Sequence, residues 1–86
     1  MDLEKLLASS CRRKILKVLW EIDRGNVMEL VRKVNSTYSQ VNANLHILAE
    51  EGIIKDKRCG RLRIIKLNKE NPKTALLLQA LKILNT

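Results

Sequence analysis

The run Thr37-Tyr38-Ser39-Gln40-Val41-Asn42-Ala43-Asn44-Leu45-His46-Ile47-Leu48-Ala49-Glu50-Glu51-Gly52-Ile53-Ile54 decides the fold. It opens as a capping box, with Thr37 accepting at the helix start and Gln40 reaching back three residues later. It closes on Gly52, the residue type that ends helices because left-handed backbone costs it nothing. Between these ends Val41, Leu45 and Leu48, spaced four and three apart, form an inner stripe with Tyr38 at its edge. At roughly 100° per residue, Ser39, Ala43, His46 and Glu50 lie opposite, flanked by Gln40 and Asn42. That outer face carries small and amide side chains and no acid before Glu50. A helix that simply faces water more often carries Lys/Glu pairs. This one is prepared for contact.

Downstream, residues 53–59 and Leu62–Leu67 read as two strands around a turn at Cys59-Gly60. Lys55, Lys57, Arg58, Arg61 and Arg63 place five positive charges within nine residues, against the single Asp56. Such a run repels itself without a polyanion. Arg61, Arg63, Ile65 and Leu67 alternate, so the outer half of the second strand is cationic while its inner half enters the core.

Upstream, Ser9 or Ser10 caps a helix over residues 11–22, with Cys11, Ile15, Val18, Leu19 and Ile22 at helical spacing. Leu3, Leu6 and Leu7 suggest a short extra helix packed back onto the body. Asp23-Arg24-Gly25-Asn26 reads as a turn in which Gly25 stops one helix and Asn26 caps the next. That next helix, Val27–Val34, buries Val27, Leu30, Val31 and Val34 before Asn35-Ser36 breaks it.

A last helix starts at Asn71-Pro72, with Asn as cap and Pro at the first helical position. Leu76, Leu77, Leu78, Ala80, Leu81, Ile83 and Leu84, with Ala75, cover nearly its whole circumference; only Thr74, Gln79, Lys82 and Asn85 are polar inside it. A helix apolar all round needs more than one side buried. Residues 72–85 are therefore expected to form a dimerisation helix, and the partner is a second copy of the chain.

Composition excludes most other classes. At 86 residues the chain allows one domain, 1–86, and little room for a deep substrate cavity. With 45% hydrophobic residues it is not disordered by composition. Its longest uncharged apolar run, residues 75–78, is far short of the ~20 residues a membrane span needs. Met1-Asp2-Leu3-Glu4-Lys5 lacks the basic start and apolar stretch of a secretory leader. A cytoplasmic protein without membrane contact is expected. Seventeen Lys and Arg against nine Asp and Glu give a net charge of +8, which points to nucleic acid. Trp20 and Tyr38 are the sole aromatics, too few for base-stacking sheets, and are expected in the core or at its edge. Cys11 and Cys59 stand far apart with no metal-ligand spacing, so neither a metal nor a cofactor is expected. His46 has no nucleophile near it in sequence, and the adjacent Glu50 and Glu51 point about 100° apart. No enzyme is indicated.

The order helix, helix, helix, basic hairpin, helix resembles the winged helix-turn-helix domain, an α+β, mostly helical fold. It has a three-helix core, a two-stranded basic wing and a C-terminal dimerisation helix. Leu6-Leu7-Ala8-Ser9-Ser10-Cys11-Arg12-Arg13-Lys14-Ile15-Leu16 resembles the opening of ArsR-type and MarR-type regulators. Leu48-Ala49-Glu50-Glu51-Gly52-Ile53-Ile54 resembles their helix-to-wing junction, and Gly60-Arg61-Leu62-Arg63-Ile64-Ile65-Lys66-Leu67 their wing return strand. The resemblance implies a prokaryotic transcriptional regulator that binds double-stranded DNA as a homodimer, with residues 37–51 as recognition helix. The major-groove set is then Ser39, Gln40, Asn42, Ala43 and His46, with Gln and Asn suited to adenine and Ala43 to a thymine methyl. Lys55, Lys57, Arg58, Arg61 and Arg63 become the wing, on phosphates or the minor groove, while Arg12, Arg13 and Thr37 brace the backbone. Metal-sensing members carry a Cys-rich motif where this chain reads Asn26-Val27-Met28-Glu29-Leu30-Val31-Arg32, so no metal sensor is implied. Two other classes fit the same residues, a protein–protein adaptor docking through the last helix and a sequence-indifferent architectural DNA binder.

Overall fold

The computed structural model describes residues 3–84; the expectations for Met1, Asp2 and Asn85 lie outside the described residues. The elements are α1 (Leu3–Leu7), α2 (Ser10–Ile22), β1 (Arg24–Asn26), α3 (Val27–Val34), α4 (Tyr38–Glu50), β2 (Ile54–Cys59), β3 (Leu62–Leu67) and α5 (Pro72–Leu84). Three helix starts are fixed by side-chain oxygens. Ser9 Oγ accepts from the Arg12 N–H at 3.2 Å, Asn26 Oδ1 from Glu29 at 2.8 Å and Thr37 Oγ1 from Gln40 at 3.1 Å. Each satisfies one amide that the helix itself leaves unpaired.

The segment after α2 departs from the expected turn. Asp23 caps α2 at φ 69°, its N–H donating to Leu19 O at 2.8 Å, so the helix stops before Gly25. Gly25 sits in close quarters instead: a Cβ there would lie 2.6 Å from Glu29 Oε1 and 2.9 Å from Ile22 Cδ1, side-chain tips that would have to shift. Residues Arg24–Asn26 form a third strand, antiparallel to β3, and the sheet order is β1-β3-β2. The wing sheet therefore has three strands rather than two. A three-residue strand centred on glycine carries no alternation by which sequence could reveal it.

The core lies between α2, α3 and α4 and the inner face of the sheet, and α5 adds Leu77, Leu78 and Leu81 to it. Val41, Leu45 and Leu48 of α4 are fully buried, as expected. So is Leu16 of α2, outside the expected stripe, while Cys11, Val18, Ile22 and Val31 pack at its margin. Trp20 and Tyr38, expected in the core or at its edge, are about half exposed, at 51% and 49%. Trp20 lies beside α5, with Lys82 Nζ 5.1 Å from its ring centroid.

The junction of α4 with the wing is a complete Schellman motif. Ile53 N–H donates to Leu48 O at 2.9 Å, and Gly52 N–H to Ala49 O at 3.0 Å, with Gly52 at φ 76°. Leu48 and Ile53, both fully buried, make the apolar contact that accompanies this geometry. The connector before α5 closes over it: Asn68 and Asn71 donate from Nδ2 to Gly52 O at 3.0 and 2.9 Å. A Cβ on Gly52 would meet Asn71 Nδ2 at 2.8 Å.

Candidate nucleic-acid interface

The open face of α4 is built by what its neighbours leave uncovered. Its inner stripe is taken by α2, α3 and the sheet, and Ser39, Gln40, Ala43 and His46 stand exposed on the other side. No charged residue interrupts this patch before Glu50. Ile47, 38% exposed, extends it toward α1 and was not marked by sequence reasoning, which assigns an isoleucine to a core.

Each flank of α4 is tied down by an Arg–Asn hydrogen bond. On the side facing α1 and α2, Arg12 Nε donates to Asn44 Oδ1 at 2.8 Å, and Asn44 Nδ2 donates to Gln40 O at 2.8 Å. On the wing side, Arg63 Nη1 donates to Asn42 Oδ1. Arg63 also grips Asp56, Nε reaching Oδ1 at 2.9 Å and Oδ2 at 3.1 Å, with Nη2 on Oδ2. Both members of that ion pair are largely buried, with side chains 14% and 18% exposed. Asp56, followed by Tyr38, holds the Arg63 guanidinium even more firmly protonated than usual.

Two expectations change accordingly. Arg63 shares the inward face of β3 with Ile65 and Leu67, so the alternation that buries those residues turns it toward α4, not toward phosphates. Arg12 and Arg13 are also engaged within the fold: Arg12 Nη1 donates to Lys5 O at 2.8 Å and Arg13 Nη1 to Leu7 O. Three cations in the first turns of α2 oppose its dipole. The last carbonyls of α1 supply the compensating negative end.

The remaining cations stay open. Lys55, Lys57, Arg58 and Arg61 are exposed around the hairpin, whose two-residue loop places Gly60, φ 61°, at the position that needs positive φ. Lys55 has a loose contact with Glu70 at 4.0 Å. Strand register adds two cations that the sequence did not single out, since Lys66 stands opposite both Lys55 and Arg24. Like charges so placed are unfavourable unless an anion lies over them. The hairpin register sets Lys66 against Lys55, and only the unforeseen strand β1 brings Arg24 into the row.

α5 divides its apolar residues. Leu77, Leu78 and Leu81 are buried in the chain's own core, which removes them from the expected dimer surface. Leu76, Ile83 and Leu84 remain 52%, 74% and 63% exposed. Ala80, Ile83 and Leu84 line an apolar groove with Leu3, Glu4 and Leu7 of α1.

Comparison with solved structures assigns the architecture. The antimony-specific transcriptional repressor AntR superposes with a TM-score of 0.80 at 25% identity, over 94% of this chain and 68% of that one. The transcriptional repressor BigR from Xylella fastidiosa gives 0.78 at 26% identity, over 95% and 81% of the two chains. The repressor PagR of Bacillus anthracis gives 0.73 at 25% identity, over 92% and 87%. The chain has the winged helix-turn-helix fold of ArsR/MarR-like transcriptional regulators. No family model matches the sequence, and no curated protein matches it. The structural neighbours of this winged helix are transcriptional regulators, not enzymes, and they support a DNA-binding role. Among the described residues no three His, Cys, Asp or Glu side chains gather as a metal would require, and no helix is long and apolar enough to cross a membrane. Cys11 lies half-buried in α2 and Cys59 exposed at the wing tip, both as free thiols.

Proposed function

We propose that this winged helix is a DNA-binding transcriptional regulator that works as a homodimer. The observation that carries the reading is the uncharged, exposed face of α4, bounded by an open cationic wing. In this arrangement Ser39, Gln40, Ala43 and His46 meet base edges in the major groove, with Asn42 at the wing-side margin. Thr37 anchors the helix start near the backbone. Lys55, Lys57, Arg58 and Arg61 lie on the flanking phosphates or the adjacent minor groove.

The dimer reading is carried by Leu76, Ile83, Leu84 and the α1–α5 groove, an apolar strip that a second copy can cover by twofold symmetry. Two recognition helices then present themselves to half-sites about 34 Å apart. Occupancy of such a site is the regulatory act.

Most of the affinity comes from displaced counterions. With about six phosphates neutralised, log K falls against log salt with a slope near −5. The test is binding to a labelled random duplex across a salt series, with Arg58→Ala/Arg61→Ala alongside. Steep salt dependence that weakens in the variant supports the reading. Absence of binding by the wild type at low salt overturns it and directs attention to a protein partner for α5.

A further inference from the structure

Asn42, at the wing-side margin of the open α4 face, has its amide oxygen turned toward Arg63 and already accepting one hydrogen bond. An Asn that reads adenine uses both ends of its amide at once, Oδ1 accepting from N6 and Nδ2 donating to N7. Here the Arg63 guanidinium occupies Oδ1. The guanidinium cannot turn away, because Asp56 holds it through both Nε and Nη2 in a fork at the margin of the core. Asn44 on the opposite flank cannot take over the role, since its two amide atoms are bound to Arg12 and to the Gln40 carbonyl.

We infer that the Asp56–Arg63 pair sets the base preference of Asn42, presenting it to DNA through Nδ2 as a hydrogen-bond donor. This rests on the DNA-binding reading above and deepens it. An amide whose oxygen is turned to Arg63 offers the groove chiefly its Nδ2 hydrogens, and these meet acceptors: O6 and N7 of guanine first, O4 of thymine next. Adenine offers N7 alone, beside an amino group that is itself a donor, and cytosine offers only its amino group, so both are disfavoured relative to guanine. Arg63 is then a positioning residue that touches no base, and adenine recognition on this helix passes to Gln40, whose side chain is exposed.

The experiment is selection of preferred sites from a randomised duplex library by the full chain, in four versions: wild type, Asn42→Ala, Arg63→Met and Asp56→Asn. Thermal melts establish that each variant is folded. The position read by Asn42 is the one whose preference Asn42→Ala flattens. At that position wild type favours guanine over adenine by about tenfold. Arg63→Met frees the amide to rotate and brings the ratio to about one or below. Asp56→Asn loosens the fork and moves the ratio the same way by less, which keeps the test open if Arg63→Met does not fold. An adenine preference in the wild type, a ratio unmoved in both folded variants, or no position flattened by Asn42→Ala overturns the inference while DNA binding stands. Failure of the wild type to bind any duplex overturns the DNA-binding reading itself.

Discussion

A guanidinium offered to a phosphate and one offered to a backbone carbonyl look the same in sequence, and the two fates predict different mutant behaviour. Arg12 holds carbonyls of α1 and the amide of Asn44. Arg12→Ala should cost about 1.5–3 kcal/mol in urea unfolding, the range for charged hydrogen bonds, and leave the salt slope of DNA binding unchanged. Arg61→Ala should do the reverse, with stability unchanged and a slope shallower by about one. Thr37→Ala should lose about 1 kcal/mol of stability and Thr37→Ser little, because only the capping oxygen is at stake. Asp23 gives a pH signature. The hydrogen bond from Lys69, whose Nζ lies 2.9 Å from Oδ1, lowers the carboxyl below its ordinary 3.8. A depressed acid contributes above its unfolded value and loses that contribution as pH falls through the folded one. Lys69→Ala should therefore lower the urea midpoint slightly at neutral pH, and the difference from wild type should vanish well below pH 3.8.

At the scale of elements, α4 is defined at its two ends by local chemistry and on its two flanks by distant residues. The ends were legible. Thr37 three residues before Gln40 and Gly52 just beyond Glu51 are signals contained within the segment, and the structure realises the Thr37 cap and the Gly52 stop. Gly52→Ala should destabilise by about 1–3 kcal/mol, since it forces a side chain into φ 76° and against Asn71; chemical denaturation measures it. The flanks were not legible. Arg63 and Asn42 lie 21 residues apart and Arg12 and Asn44 lie 32 apart, and nothing local announces either pair. Period-two alternation did hold the clue for Arg63, which shares a face with Ile65 and Leu67, but the count of charges in the wing outweighed it. β1 escaped for a different reason: its pairing partner, not its composition, makes it a strand.

For the whole molecule, the division of α5 between core and surface sets the assembly experiment. Leu77→Glu would destroy the fold and say nothing about association, because Leu77 is fully buried. Leu76→Glu with Leu84→Glu alters only exposed positions. It should leave the melting transition nearly unchanged while converting a dimer to a monomer in sedimentation. Binding to a two-half-site duplex should then weaken far more than binding to a single half-site, because the second contact is no longer intramolecular. A species that is monomeric already in the wild type would contradict the homodimer.

Trp20 against Lys82 also gives the protein a spectroscopic use. The chain has one tryptophan, one tyrosine and no phenylalanine, and the two chromophores sit at opposite functional ends. Indole emission reports the contact between α2 and the terminal helix, whereas phenol emission comes from the first residue of α4, beside the arginine of the wing. Titrating with duplex should perturb the tyrosine signal at concentrations where the indole is silent. Dilution through the association equilibrium should shift the indole alone. Docking on DNA and joining of subunits can then be followed as two colours of light from an unlabelled protein.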